Sequence, residues 1–197
     1  MSLNKIVTVS LLLLIVGFNS AFAGTKYSVD SHNSIVNFST IKKQYVVEPA
    51  VFKNTQGAIS DSGDVEISID LNSIDTKIGI RDTRIEELFF KIIKFPKATI
   101  KAKIDMNKIK SISYYRKMEI PATLELYGTT KKIKLNIMVA KTYRNRLLIT
   151  SMQPIIVNTD DYKIPAENLV NLANTVGGLS LSNKAAVNFV LTFKPNK

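Results

Sequence analysis

Positions 65–72 read V-E-I-S-I-D-L-N, so apolar side chains at the odd positions alternate with polar side chains at the even positions. Successive side chains of a β-strand point to opposite faces of the sheet. The stretch therefore predicts a strand with one buried face and one face in water. Such strands are typical of antiparallel sheets rather than of parallel sheets, which are covered on both faces.

The same alternation recurs on both sides of this stretch. Clear examples are 97–104 (K-A-T-I-K-A-K-I), 132–139 (K-I-K-L-N-I-M-V) and 187–193 (V-N-F-V-L-T-F). Less regular strands are predicted at 27–30, 35–40, 45–59, 111–118, 122–126 and 147–157, separated by turn residues such as D-S-G-D at 61–64. About eight or nine strands without a domain linker indicate a closed barrel or a sandwich, and the alternation alone leaves both open.

One segment has helical spacing instead. Ile85, Leu88, Phe89 and Ile92 recur at i, i+3, i+4 and i+7, which places them on one helix face. T-R-I-E at 83–86 matches a capping box, in which a hydroxyl and a carboxylate satisfy amides of the first turn. We expect a short amphipathic helix at 84–93, stopped by Pro96, and a weaker one at 167–176 that ends at two glycines.

Residues 1–23 predict a cleaved secretory signal peptide. Lys5 precedes an apolar run at 6–16, and A-F-A at 21–23 matches the small-x-small pattern that signal peptidase cleaves. The run is shorter than the roughly 20 apolar residues of a spanning helix, which disfavours the alternative of an uncut anchor. We therefore expect one domain over 24–197, exported to the periplasm.

Composition narrows the function classes. The chain has no cysteine, so it forms no disulfide and performs no thiolate chemistry. The formal net charge is +11, and its lysines are spread over the polar phase of many strands. Export argues against a nucleic-acid partner. A solvated basic surface explains the charge most simply, and attraction to an anionic membrane surface or ligand is the functional alternative.

The titratable residues favour a binding protein over an enzyme. His32 is the only histidine, whereas a zinc site takes three or four ligands, so a polar residue in a turn is its simplest interpretation. The acidic pair at 160–161 would point to opposite faces of a strand, and the pair at 86–87 is explained by helix capping. We expect no catalytic residue, metal or cofactor. The apolar inward residues fit either a filled core or a tunnel.

Four motifs carry a resemblance to a known family. They are Y-S-V-D-S-H-N-S-I-V-N-F at 27–38, S-I-D-T at 73–76 with R-D-T-R-I at 81–85 and F-F at 89–90, K-F-P-K-A-T-I at 94–100, and A-T-L-E-L-Y-G-T-T-K at 122–131. In order and spacing they resemble the YceI-like periplasmic proteins. The resemblance implies an eight-stranded antiparallel, lipocalin-like barrel whose apolar tunnel holds a polyisoprenoid or another lipid-like amphiphile in some members. Arg84 stands where the family has a helix histidine.

The combined expectation is an all-β barrel with one short amphipathic helix that binds a long-chain isoprenoid or fatty-acid-like ligand. We expect bulky apolar residues at the inward-facing positions to line the tunnel. These are Val36, Phe38, Phe52, Ile67, Ile69, Phe89, Leu124, Leu126 and Phe189. Arg81, Arg84 and His32 are candidates for the polar end of the ligand. An anionic membrane surface and a homodimer are further partners left open. The rivals are a non-enzymatic interaction protein with a filled core and a basic membrane-facing surface, and an enzyme acting on the lipid.

The export prediction is tested by cell fractionation and N-terminal mass spectrometry. We expect the protein outside the cytoplasm, in a form that begins at Gly24, because cleavage follows the A-F-A tripeptide at 21–23. An intact N-terminus on protein that only detergent extracts would instead show an uncut anchor.

Overall fold

The computed structural model describes residues 24–196, and the predicted signal peptide lies outside the described residues. Twelve strand segments form one antiparallel sheet. They are β1 (Thr25–Val29), β2 (Ile35–Lys42), β3 (Val46–Phe52), β4 (Thr55–Ser60), β5 (Asp64–Asp70), β6 (Ile74–Asp75), β7 (Lys97–Lys103), β8 (Tyr115–Leu126), β9 (Thr129–Thr142), β10 (Arg146–Ser151), β11 (Ile155–Asn158) and β12 (Lys184–Pro195).

The segments combine into eight strands that close a barrel. Four strands are broken into two segments each, namely β1 with β2, β3 with β4, β5 with β6, and β10 with β11. For example, β4 pairs with β1 while β3 pairs with β2. Each strand pairs with the next in sequence, and β12 returns to pair with both β1 and β2. The predicted eight-stranded antiparallel barrel is confirmed.

Several strand predictions differ from the structure in their bounds, and the strand expected at 147–157 is interrupted at 152–154, between β10 and β11. The strand expected at 45–59 is interrupted at 53–54, between β3 and β4. The strand expected at 111–118 begins only at Tyr115, because a short helix, α2 (Met106–Lys110), precedes it. Asp105 caps this helix by accepting a hydrogen bond from the amide of Asn107 at 2.8 Å. Ile109 of α2 is fully buried, so the helix closes one end of the barrel.

The amphipathic helix is present, but it begins earlier than the capping-box pattern predicts. It consists of α1 (Gly79–Arg84) and a π-helical turn (Ile85–Phe90). Thr83 lies inside α1 and donates its hydroxyl proton to the carbonyl of Gly79 at 3.3 Å, so it caps nothing. The helix ends at Lys91, whose left-handed backbone (φ 53°) stops it before Pro96.

The weaker helix of the sequence is α3 (Ala166–Asn174). Gly178 donates its amide proton to the carbonyl of Ala173 at 3.0 Å, a helix-ending hydrogen bond that the positive φ of Gly177 allows. α3 packs against the π-helical turn. No helix among the described residues is long and apolar enough to cross a membrane.

The two ends of the barrel are packed differently. Around α2 the inward side chains have almost no exposure to solvent, as Ile59, Leu147 and Phe193 show. We call this the closed end. At the opposite end β2 and β3 meet in a hairpin, and α1 and α3 lie over the opening. We call this end the mouth.

Gly63 is required at the closed end. Its backbone has φ +88°, and a Cβ atom there would collide with the carbonyl oxygen of Ile104. Its own carbonyl accepts a hydrogen bond from the amide of Ile104 at 2.9 Å, which holds the backbone in place. A side chain at 63 would therefore separate the β4–β5 turn from the end of β7.

We expect Gly63→Ala to lower the free energy of unfolding by more than about 2 kcal/mol, since collision adds to the roughly 1–2 kcal/mol penalty of a left-handed backbone. Gly178→Ala is the matched control, because Gly178 also has positive φ (+72°) but has open space around its Cβ position. Urea denaturation measures both variants. Equal losses in the two variants would contradict the collision.

Candidate functional site

The barrel interior contains a cavity of about 350 Å³. Its walls are almost entirely apolar, because alternate residues of every strand point inward. The side chains of Ile67 and Ile69 in β5 point into the cavity. Those of their polar neighbours Ser68 and Asp70 lie on the other face of the strand, as the alternation requires. Small side chains at Ala50 and Ala98 face the same space and leave part of it unfilled. Of the two alternatives that the inward residues left open, a filled core or a tunnel, the cavity favours the tunnel.

A run of phenylalanine rings forms one side of the cavity and connects the sheet to the helix. Phe38 and Phe52 stack with their ring centres 5.2 Å apart. Phe52 also packs against Phe90 at 6.1 Å, and Phe90 meets Phe89 edge to face at 4.9 Å. Aromatic pairs in these geometries add to the stabilisation from apolar burial. The helix is thus attached to the barrel through apolar contacts that also line the cavity.

A buried amide fixes the same helix from its other side. Asn168 of α3 is almost fully buried, and its side-chain nitrogen donates to the carbonyl of Phe89 at 2.9 Å. The same nitrogen lies 3.2 Å from the hydroxyl oxygen of Tyr127, to which it also donates. The carbonyl of Phe89 lies in the π-helical turn, where the ordinary helical pattern is interrupted. Asn168 therefore holds the cover of the cavity together.

Charged groups occur in the cavity lining only at the mouth, as far as the described residues show. Glu48 accepts from Arg81 Nη1 at 2.7 Å and forms a second ion pair with Lys42. Hydrogen bonding by Lys42 and then Arg81 holds the pKa of Glu48 below its usual range. Arg81 also donates from Nε to the Thr76 hydroxyl at 2.9 Å and from Nη2 to the Thr76 carbonyl at 2.8 Å. The Arg81 guanidinium is thus fixed in place.

Arg84 is held differently. Its Nη1 donates to the carbonyl of Thr175 at 3.3 Å, which links α1 to the end of α3. No carboxylate lies within ion-pair distance of Arg84 in the described part of the chain. The charged lining residues are Lys42, Arg81, Arg84 and Lys184 on the positive side and Glu48 on the negative side. The mouth therefore carries an excess of positive charge.

The structure brings together most of the residues selected from the sequence. All nine apolar candidates, together with Arg81 and Arg84, line the cavity, and their contact with a ligand stays a prediction. His32 does not line it, because it lies exposed in the turn Ser31–Asn33 between β1 and β2. Among the described residues no group of three or more metal-ligating side chains comes together.

Several mouth residues were missed from the sequence. Lys42 lies on the same inward face of β2 as Val36 and Phe38. Extending the predicted strand 35–40 by two residues would therefore have found it. Glu48 faces the mouth because it pairs with Thr40 in the β2–β3 register. The lining residues of 179–183 had no periodic signal, because they belong to the connection between α3 and β12, whereas those of α3 lie on the weaker helix that the sequence predicts.

The lowered pKa of Glu48 predicts a pH-dependent contribution to stability. A depressed pKa in the folded protein gives stabilisation that is present above the unfolded value of 4.5 and is lost as pH falls through the folded value. Glu48→Gln should therefore lower the free energy of unfolding by about 1–2 kcal/mol at pH 7, and the difference from wild type should shrink below pH 4.5.

Glu119→Gln is the control for this measurement, because Glu119 pairs with Lys134 at 2.9 Å on the exposed outer face. Denaturation at pH 7 should find almost no loss for Glu119→Gln. A Glu48→Gln loss that is the same at pH 7 and pH 3 would contradict the ionic origin.

Comparison with known proteins identifies the architecture. The family model of the YceI-like domain matches residues 27–193. A polyisoprenoid-binding domain from Saccharophagus degradans, implicated in plant cell wall breakdown, superposes with a TM-score of 0.83 at 27% identity, over 87% of this chain and 99% of that one. BcnA of Burkholderia cenocepacia superposes at 0.62 with 14% identity, over 83% and 98% of the two chains. A comparison with curated proteins found no match.

The four sequence motifs all fall inside the matched residues, and the closed eight-stranded barrel agrees with both structural neighbours. The chain therefore belongs to the YceI-like family.

Proposed function

We propose that this protein is an exported lipid-binding protein, which holds a polyisoprenoid or a fatty-acid-like amphiphile inside its barrel in the periplasm. Its role would be carriage, storage or protection of that molecule. The observation that carries the proposal is the apolar cavity of about 350 Å³ with a cationic mouth. The polyisoprenoid-binding neighbour, at 27% identity over nearly the whole barrel, supports the same ligand class.

The energetics favour a long apolar ligand. Each methylene moved from water into an apolar site contributes about 0.8 kcal/mol. A hydrocarbon chain that fills the cavity therefore gains several kcal/mol, which offsets the loss of its conformational freedom. The walls are already formed by strands and by the phenylalanine run, so little reorganisation is needed.

The mouth suits the polar end of an amphiphile. Arg84 projects into the cavity lining without a carboxylate partner in the described residues, and Arg81 is positioned beside it by Thr76 and Glu48. Guanidinium groups donate several hydrogen bonds in a fixed plane, which suits phosphate or carboxylate oxygens. An amphiphile bound with its chain inward would place an acidic head group at Arg84.

Binding is favoured over catalysis at this site. Glu48 at the mouth is paired with Lys42 and Arg81, and the described lining contains no histidine or acid–base couple beside a nucleophile. The rival interaction protein with a filled core is disfavoured by the cavity itself.

The proposal is tested by organic extraction of freshly purified protein followed by mass spectrometry. We expect an amphiphile with a long hydrocarbon chain in near-stoichiometric amount. Delipidated protein should take up added isoprenoids or fatty acids. Protein that yields no amphiphile and takes up neither class would overturn the proposal.

A pair of adjacent substitutions locates the ligand. Leu124 is buried in the cavity wall, whereas Thr123 is half-buried and lies between Lys101 and Lys132 on the outer face. Leu124→Asp should abolish lipid uptake, because an unpaired charge inside an apolar cavity is costly. Thr123→Asp should leave uptake unchanged, and circular dichroism checks that both variants fold. Equal uptake by the two variants would place the ligand elsewhere.

Phe89→Ala tests the cover without placing a charge in the core. Phe89 is half-buried, so the loss of stability should stay below the roughly 3–5 kcal/mol of a fully packed phenylalanine. Because the ring lies in the π-helical turn over the cavity, its removal should speed the release of a bound fluorescent fatty acid. Stopped-flow fluorescence measures the release, and an unchanged rate would show that the helix is not the cover.

A further inference from the structure

Large apolar side chains are exposed around the mouth. Ile41, Tyr45 and Val47 lie on the β2–β3 hairpin, and Ile78 and Ile80 lie at the start of α1. We call these five residues the apolar rim. Tyr45 is 81% exposed, and Val47 and Ile80 are each 60% exposed. Exposed apolar side chains that cluster with charged residues mark interaction surfaces.

The two parts of the apolar rim belong to one surface. The ion pair between Arg81 of α1 and Glu48 of β3 joins the helix to the hairpin at 2.7 Å. Ile80 precedes Arg81 and Val47 precedes Glu48, so the two exposed side chains flank this ion pair. Ile41 and Val47 are partners across the hairpin and face away from the cavity. The rim therefore borders the opening through which the cavity meets solvent.

Positive charge accompanies the rim. Lys43 lies in the hairpin turn between Ile41 and Tyr45, is exposed, and has no carboxylate within ion-pair distance among the described residues. By contrast, several lysines on the outer wall are paired, Lys101 with Glu66, Lys103 with Asp64 and Lys134 with Glu119. The basic strand lysines are thus partly neutralised, and the hairpin turn keeps its charge.

We propose that the apolar rim and Lys43 dock the mouth onto the surface of an anionic phospholipid bilayer. Tyrosine and aliphatic side chains partition into the interface between head groups and acyl chains, and a lysine beside them binds the anionic head groups. The inference rests on the proposed function in one respect. A docked mouth lets an apolar chain pass between bilayer and cavity without crossing water.

An anionic bilayer fits this surface better than a protein partner. The rim combines unpaired positive charge with apolar side chains on a protruding turn, and both signals together give stable membrane attachment where either alone is weak. A second protein or a second copy of this chain would show itself in the test below as an absence of vesicle binding.

Tryptophan fluorescence gives a direct reporter of docking, because the natural chain contains no tryptophan. Tyr45→Trp places a single indole on the hairpin. Tyr114→Trp is its matched control, since Tyr114 is also 81% exposed but lies beside β8 at the closed end. Vesicles of phosphatidylglycerol with phosphatidylcholine should shift the emission of Tyr45→Trp to shorter wavelength and leave Tyr114→Trp unchanged. A shift in both variants, or in neither, would overturn the proposal.

Sedimentation with the same vesicles measures affinity. Tyr45→Ser should weaken binding about tenfold through lost apolar burial. Lys43→Gln should weaken it about fivefold, the effect of one basic side chain at an anionic surface. Tyr114→Ser and Lys117→Gln, both at exposed positions of the closed end, should bind like wild type. Pure phosphatidylcholine and raised salt should each weaken wild-type binding, because exposed charges are screened beyond about 8 Å at physiological ionic strength.

The outcomes separate this proposal from lipid binding in the barrel. All variants share the same N-terminus, so residues 1–23 contribute equally if they are retained. Docking is overturned if Tyr45→Ser and Tyr114→Ser weaken vesicle binding to the same degree. It is also overturned if the wild-type protein does not bind phosphatidylglycerol vesicles at low salt. If an amphiphile is still extracted from such protein, the proposed function stands. Docking by a barrel that neither yields nor takes up an amphiphile would overturn the proposed function instead.

Discussion

The seam where the last strand meets the first holds the barrel closed. β12 pairs with β1 near its C-terminal end and with β2 near its N-terminal end. The chain must therefore bend between β1 and β2 while both segments remain paired with β12. Asp30 lies at this bend. Its amide donates to the carbonyl of Thr192 at 2.7 Å, and its buried carboxylate binds Arg146 at 3.2 Å and Lys194 at 3.4 Å.

The negative charge of the Asp30 carboxylate is compensated by side chains from several elements of the fold. Asn33 donates to the Asp30 carboxylate at 3.1 Å, and this hydrogen bond, followed by Lys194 and Arg146, lowers the pKa of Asp30 despite its burial. Ser34 accepts from the Thr192 amide at 3.0 Å and donates to the Asp30 carbonyl at 2.8 Å. Removing one partner would leave a buried charge without compensation, which is more costly than losing an exposed ion pair. The first sequence motif therefore serves closure through Asp30, Asn33 and Ser34, and its last residues, Val36 and Phe38, line the cavity.

Alternation in the sequence was sufficient to predict the strands and their inward faces, since a side chain on a regular strand has only two directions. It could not predict the breaks within strands or α2, which depend on tertiary packing of Ile109 and on the cap at Asp105. The capping box at Thr83 failed for a related reason. Contacts of the phenylalanine run and Asn168 decide where the helix lies, and a local pattern contains no information about them. The apolar strand residues of the cavity lining were predictable from the alternation, whereas the cavity volume depends on the sum of side-chain sizes around the ring.

The contrast between the two ends links stability to function. At the closed end Ile59, Leu147 and Phe193 are packed to near-zero exposure, and these contacts together with the seam at Asp30 supply a rigid frame. Toward the mouth the same ring of strands leaves space, so the lining side chains lose the contacts that a filled core would provide. An apolar chain in that space would restore those contacts and would stabilise the folded state in proportion to its affinity. The barrel can tolerate a hollow interior because the seam at Asp30 closes it without filling that space. The helix over the mouth is joined to the barrel through aromatic rings, the Asn168 amide and the ion pair between Arg81 and Glu48.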